Sequence, residues 1–442
     1  MARDDTERER AVPAGRVQRL ARFGGLAAGV AGNMASEGAK RAIRGEKVSA
    51  QNLLLTPSNA ARVADQLSQL RGAAMKVGQL LSMDAGDLVP PELAEILARL
   101  RGGAHAMPPQ QLRRVLNDAW GRDWLRTFAR FDTKPLAAAS IGQVHRGQTR
   151  DGRDLAVKVQ YPGVRQSIDS DVDNVASLIR MTGLLPKGVD LTPLLEEGKK
   201  QLKEEADYER EGDYLTRYKK HLSGDDRFAV PDRHADLTTT DVLAMDYMEG
   251  RLIDTLTDAP QAERDQAVSR LMDLLLRELF AFRLIQTDPN FANYLVQDDG
   301  TIVLLDFGAT REIAGDLSES YRALLRGAVD GDMEAVRAAA LTIGVTGEEV
   351  REEHEALLTE IFEAVMEPMR TPGPYDFGTA TIATRIRDAG VELRTGGYVQ
   401  VPRPVTVFIH RKIVGVYLMA TRMRARVDVN GLLMPYVREG GG

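Results

Sequence analysis

Asp288, Asn293 and Asp306 place three oxygen-bearing side chains in one short stretch, the last heading Asp306-Phe307-Gly308. Between Asn293 and Asp306 lie an apolar run, Tyr294-Leu295-Val296, an Asp298-Asp299-Gly300 turn, and a second run from Thr301 to Leu305. This pattern predicts a β-hairpin, because Asp-Asp-Gly supplies the positive φ angles a tight turn needs. A hairpin returns its ends to one place, so Asn293 and Asp306 should meet, with Asp288 beside them. An Asp and an Asn oxygen with a further carboxylate nearby suit a magnesium ion that keeps several waters and bridges phosphates.

Phosphates also need cations. Lys158 stands in Leu155-Ala156-Val157-Lys158-Val159, and a lysine inside an apolar strand requires an anionic partner or ligand. Alternation on either side of Asp151-Gly152 predicts that this strand closes an antiparallel hairpin. The loop before the hairpin reads Ala137-Ala138-Ala139-Ser140-Ile141-Gly142. Asp190 to Tyr218 reads as one long charged helix holding Glu204, Glu205, Asp207 and Glu211. At about 100° per residue, Glu204, Asp207 and Glu211 share a stripe, while Glu205 lies about 120° round from Glu211. Glu205 and Glu211 should therefore serve different cations, and Lys158 and Lys76 are the two lysines in need of partners; a solvated charged face is the plainer alternative.

Lys76 belongs to a helix that Thr56-Pro57 starts well and that Val63, Leu67, Leu70, Ala74, Val77 and Leu81 give one apolar seam. Lys76 and Gln79 share a face beside that seam, and Gly78 between them costs about 1 kcal/mol of helix propensity. A glycine kept there points to another segment approaching closely; a solvated Lys-Gln face with an incidental glycine is the other reading.

The bulk properties narrow the classes. With 442 residues, 43% of them hydrophobic, the chain can bury more than one core. A net charge of −6 and a pI of about 5.7 argue against a nucleic-acid binder that relies on a basic surface. The chain has no Cys, which excludes disulfides and thiolate sites and fits a reducing compartment. Its six His lack metal-ligand spacing, so zinc is not expected. The charged first residues do not resemble a secretory signal, and the apolar stretches Leu20 to Met34 and Val405 to Ala420 are too short or too charged to span a membrane. The expectation is a soluble protein. Residues 1–50 form an arm whose apolar spacing and basic cluster (Lys40, Arg41, Arg44, Lys47) suit either an anionic membrane surface or a docking terminus.

With these segments in hand, the chain resembles the UbiB/ADCK family of atypical protein-kinase-like proteins, in the branch linked to coenzyme Q biosynthesis. The residues that carry the resemblance are Lys76-Val77-Gly78-Gln79, Ala137 to His145, Val157 to Val164, Glu205-Ala206-Asp207-Tyr208 with Glu211, Gln286 to Asn293, and Leu305 to Arg311. The fold it implies is α+β and two-lobed, protein-kinase-like, with a helical N-terminal extension. The corresponding divisions are an arm at 1–50, the extension at 51–125, a small β-rich lobe at 126–246 and a helical lobe at 247–442.

The resemblance also implies roles. Lys158 pairs with Glu211 and holds phosphates, Asn293 and Asp306 hold Mg2+, and Asp288 is the catalytic-loop carboxylate. Ala137, Ala138, Ala139 and Ser140 replace a glycine-rich nucleotide loop, and the added Cβ atoms alter its grip on phosphate. The strand Val242 to Asp246 opens into the linker that would read adenine, around Met245 and Met248. Lys76, Gly78 and Gln79 pack against Glu205 and Asp207 as a regulatory element. Gln286-Thr287 stand where kinases carry His-Arg, Asn290 stands where a catalytic-loop lysine is usual, and no Ala-Pro-Glu follows Asp306-Phe307-Gly308.

The implied function is a magnesium-dependent atypical kinase or ATPase, binding ATP or ADP, that supports ubiquinone or other isoprenoid-lipid metabolism. The implied partners are the nucleotide, an isoprenoid or anionic lipid at a membrane surface, lipid-biosynthesis enzymes and a second copy of the chain; nucleic acid is not among them. The expected location is cytoplasmic, peripheral at the inner face of the membrane. Two competing readings are a nucleotide-gated lipid-binding or scaffolding module with little phosphotransfer, and a small-molecule kinase of the aminoglycoside-phosphotransferase type. The latter has no place for the alanine loop or the Lys76 helix.

Overall fold

The structure, a computed structural model, describes residues 106–139, 141–182, 192–347, 350–398 and 403–438. The chain divides into two compact units. The first holds the described residues up to Asp213 with Asp232–Tyr247, and the second holds Tyr214–Pro231 with the chain from Met248 on.

The first unit begins with α1 (Pro109–Trp120), started by Pro at its first position and ended at Gly121, whose φ of 82° ordinary residues avoid. Four strands follow: β1 (Phe128–Phe131), β2 (Ala137–Ala138), β3 (Gly142–Thr149) and β4 (Asp154–Gln160). Helices α2 (Val164–Thr182), α3 (Thr192–Glu205) and α4 (Tyr208–His221) lead on, the unit boundary falling within α4. Strand β5 (Val242–Asp246) completes an antiparallel sheet ordered β1-β3-β4-β5, with β2 on β3. The β3–β4 hairpin is the one the alternation predicts, turning at Gly152 with φ 96°. Leu112 and Leu116 of α1, Trp124 and Phe128, Leu155, Val157 and Val159 of β4, and Val242 and Ala244 of β5 share one core. From Leu155 to Gln160, β4 is buried on both faces, so Lys158 is buried as well.

The single long helix expected over 190–218 is broken. Tyr208 N–H bonds to Thr240 O at 3.1 Å instead of continuing the helix, and Asp207 Oδ1 caps α4 by accepting from Arg210 N–H at 3.2 Å. Aspartate competes well for such a cap, which ends one helix and starts the next. Gln160 Nε2 donates to the Ala206 carbonyl at 2.9 Å, satisfying backbone at the break. The shared stripe of Glu204, Asp207 and Glu211 does not survive this.

In the second unit, β6 (Arg251–Leu252) precedes α5 (Gln261–Arg277), which widens into a π-helical turn, Glu278–Phe282, and stops at Arg283 with φ 49°. Next come β7 (Leu284–Gln286), β8 (Tyr294–Val296), β9 (Ile302–Leu304) and β10 (Thr310–Glu312). Strands β8 and β9 form the predicted hairpin, with Gly300 at φ 87°; Phe228–Ala229 joins β9 and β6 joins β8. Strand β10 returns to pair with β7. The rest is helical apart from a short antiparallel pair, Tyr375–Asp376 with Arg426–Val427: α6 (Gly315–Asp330), α7 (Met333–Ile343), α8 (Glu352–Arg370), α9 (Ile382–Thr395), α10 (Pro404–Met423) and α11 (Val429–Arg438). Among the described residues, no helix is long and apolar enough to cross a membrane.

Candidate functional site

In the first unit the sheet interior presents a buried ion pair. Lys158 Nζ lies 2.5 Å from Glu211 Oε1, the two side chains being 7% and 3% exposed. Strand β4 fixes the lysine through its pairing with Val144 on one side and Leu243 on the other, and the first turns of α4 supply the glutamate. A charge removed from water this completely is stable only with its partner, and taking one away costs about 3–5 kcal/mol.

The alanine loop begins as strand. Ala137 and Ala138 pair with Val144 and Gln143, both side chains exposed, and Ala139 N–H closes the turn on Gly142 O at 2.9 Å. Gly142 is obligatory, because any Cβ there would overlap the Val159 carbonyl. Gln143 and His145 after it are structural. Gln143 Oε1 accepts from Met107 N–H at 2.8 Å, its amide bonds His145 Nε2 at 2.7 Å, and the other ring nitrogen meets Asp132 O at 2.8 Å. Burial draws the His145 pKa down, so the imidazole is neutral at pH 7. Met245 is buried in β5 opposite Ala156, and Met248 is half-buried at the start of the second unit. Glu205 is buried at the end of α3, and Asp207 caps α4. Lys76, Gly78, Gln79 and Ser140 lie outside the described residues, as does the 1–50 arm.

The second unit brings the three hairpin-end residues together. Asn293 O accepts from Leu305 N–H at 3.1 Å, which places Asn293 beside the residue preceding Asp306, and both side chains line one small cavity. Asn293 Nδ2 donates to the Asp288 carbonyl at 3.0 Å. Asp306 Oδ1 accepts from Gly308 N–H at 3.1 Å, and Phe307 packs on the Tyr218 ring with centroids 5.0 Å apart. From there the chain reaches α6 through β10 alone, leaving no room for a long activation loop.

Helix α10 holds the loop from Asp288 to Asn293 along one face. Arg411 Nη2 meets Asp288 Oδ1 at 2.7 Å. Gly415, one turn on, lets Pro289 come so close that an added Cβ would overlap its ring. Arg422 lies over the Phe291 ring at 5.1 Å. Lys412 is 2% exposed and 3.2 Å from the fully buried Glu278. None of these residues was assigned from the sequence, although the run His410-Arg411-Lys412 inside an otherwise apolar helix was a visible signal. A charge in such a place needs a buried partner.

Comparisons with known proteins agree with this architecture. Residues 99–340 match the ABC1 atypical kinase-like domain. The chain is 38% identical over 435 residues to the mitochondrial atypical kinase COQ8B of Rattus norvegicus, covering 97% of this chain and 81% of that one. It is 37% identical over 427 residues to the mitochondrial atypical kinase COQ8 of Saccharomyces cerevisiae, covering 96% and 85%. It is also 35% identical over 435 residues to the mitochondrial atypical kinase coq-8 of Caenorhabditis elegans, covering 96% of this chain but only 57% of the nematode protein's length. Among solved structures, the Rv3197–erythromycin complex of Mycobacterium tuberculosis matches in fold with a TM-score of 0.60 at 24% identity, over 85% of this chain and 95% of that one.

Proposed function

The chain belongs to the ABC1 atypical kinase-like family, and on that premise we propose that it is a magnesium-dependent, ATP-binding atypical kinase or ATPase serving ubiquinone or other isoprenoid-lipid metabolism. The observation that carries the reading is the grouping of Asn293, Asp288 and Asp306 at the ends of one hairpin. The donor set fits magnesium. Asn293 spends its amide nitrogen on the Asp288 carbonyl, which leaves Oδ1 as the atom that would ligate a cation, and Asp306 would supply carboxylate. Among the described residues no cluster of three or more His, Cys, Asp or Glu could form a closed metal cage. Two protein oxygens, with water and phosphate completing the shell, is the arrangement magnesium favours.

Each residue then has a separate task. Asn293 and Asp306 would hold the ion, which when bound neutralises phosphate charge. Lys158, oriented by Glu211, takes phosphate oxygens. Asp288, its carboxylate fixed by Arg411, orients the acceptor hydroxyl or water. The alanine loop, whose Ala137 and Ala138 are exposed, would grip phosphate more loosely than glycine does. A peripheral place on an anionic membrane, through the basic residues at 40–47, completes the reading.

The test is ATP turnover by the purified full chain, with and without vesicles of anionic lipid or added isoprenoid quinone, with analysis of all phosphorylated products. Magnesium-dependent turnover is expected. Its absence under every condition contradicts the enzyme reading, and lipid-stimulated hydrolysis with no phosphorylated acceptor identifies an ATPase.

A further inference from the structure

Lys412 and Glu278 form an ion pair in the interior of the second unit that the proposed chemistry does not use. Lys412 is 2% exposed and Glu278 0%, with 3.2 Å between Nζ and Oε2. The wide turn after α5 aims Glu278 inward, where its other oxygen accepts from Tyr218 O–H at 2.7 Å and from Gln286 N–H at 3.3 Å. Complete burial pushes the Glu278 carboxyl above the ordinary carboxylate range, against the pull of Lys412. Burial also draws the Lys412 ammonium down, but Glu278 outweighs it and keeps the lysine protonated.

From this pair a short relay leads to the candidate cation site. Lys412 Nζ lies 3.4 Å from Gln286 Oε1 and 3.2 Å from Tyr294 Oη. An ammonium has only donors, so Gln286 must turn its oxygen toward Lys412 and its nitrogen away. Gln286 Nε2 then donates to the Asp288 carbonyl at 3.0 Å. That same carbonyl accepts Asn293 Nδ2 at 3.0 Å. The two side-chain amides thus share one acceptor with Asn290 N–H, which reaches it at 2.8 Å, and Asn293, its nitrogen spent there, keeps only Oδ1 to offer a cation. Lys412, Glu278, Gln286, Asn293 and Asp306 line the same small cavity.

We propose that the buried Lys412–Glu278 pair is the positioning element of the magnesium site, setting the Gln286 amide and through it the direction of Asn293 Oδ1. This rests on the assignment of Asn293 and Asp306 to magnesium. Lys412 and Glu278 touch no substrate; they act through Gln286.

The readout is the magnesium concentration giving half-maximal ATP turnover by the full chain, alongside unfolding temperature and nucleotide binding in EDTA. Glu278→Gln combined with Lys412→Met removes both charges, so no buried ion is left without its partner. This double variant should keep metal-free nucleotide binding and need at least about tenfold more magnesium. Gln286→Leu, which spares the ion pair, should shift the requirement in the same direction, while Lys412→Arg should restore most of it. A merely structural role lowers stability or total turnover without moving the magnesium requirement, and that result in Gln286→Leu overturns the proposal even if the double variant fails to fold. A wild type whose turnover ignores magnesium overturns the magnesium assignment itself, and this inference with it. A normal wild-type response with unshifted variants overturns only the role of the pair.

Discussion

Arg411 Nη2 lies 2.7 Å from Asp288 Oδ1, across 123 positions of sequence. The loop from Asp288 carries Asn290 where kinases usually have a lysine, and the cation beside the loop carboxylate comes from α10 instead. The carboxylate is therefore held from outside its own loop, by a guanidinium whose side chain is 7% exposed.

Arg411→Ala releases that carboxylate. Misplacing a catalytic group by about 1 Å costs roughly 100-fold in rate, so kcat should fall by about that factor while nucleotide affinity changes only a few-fold. Steady-state kinetics with a direct binding titration separate the two, and an unchanged kcat would show that Asp288 does not need this clamp.

Lys158→Met leaves Glu211 buried without its cation and should destabilise the chain by about 3–5 kcal/mol. Lys158→Met with Glu211→Gln should recover most of the stability and none of the nucleotide binding. Denaturant unfolding and nucleotide titration check the pair of outcomes; nucleotide binding that returns with stability would make the ion pair purely structural.

Gly415→Ala puts a methyl group into the Pro289 ring. Overpacking of this kind costs about 1–3 kcal/mol, and here the element that must yield is the loop from Asp288 to Asn293. Turnover should drop about tenfold or more while nucleotide binding persists. Wild-type kinetics would mean that helix and loop do not meet.

The hairpin from Tyr294 to Leu304 and the one from Gly142 to Gln160 were legible because strand alternation and Gly turns are local signals. The pairing of Lys158 with Glu211 was legible as a need, since a buried lysine demands a carboxylate, with family resemblance naming which one. The α3–α4 break was not, because the competing bond from Tyr208 N–H goes to Thr240, far along the chain. The partners of Arg411, Lys412 and Gly415 were hidden for the same reason: two charges inside an apolar helix signal a need, but Asp288, Glu278 and Pro289 all lie more than a hundred residues earlier.

His410, edge-on to Tyr321 within α10, has its pKa lowered by burial to about 4. A folded-state value below the unfolded value of about 6.5 means that stability is fully present above that pH and is lost as pH falls toward 4, since only the unfolded chain takes up the proton. The loss from this residue should be roughly 3 kcal/mol in total. Unfolding curves between pH 7 and 4 for wild type and His410→Phe measure it, and the variant should lack that part of the slope. Identical slopes would place His410 in contact with water.

The central claim is that Asp306 and Asn293 hold the divalent ion of a bound nucleotide. Its most direct test is a titration of ATP into the full chain with and without magnesium, for wild type and Asp306→Asn, followed by ATP turnover of both. Magnesium should strengthen ATP binding to wild type at least about tenfold and should not strengthen it for Asp306→Asn, whose turnover should be abolished. Equal magnesium enhancement and equal turnover in the two proteins would contradict the account.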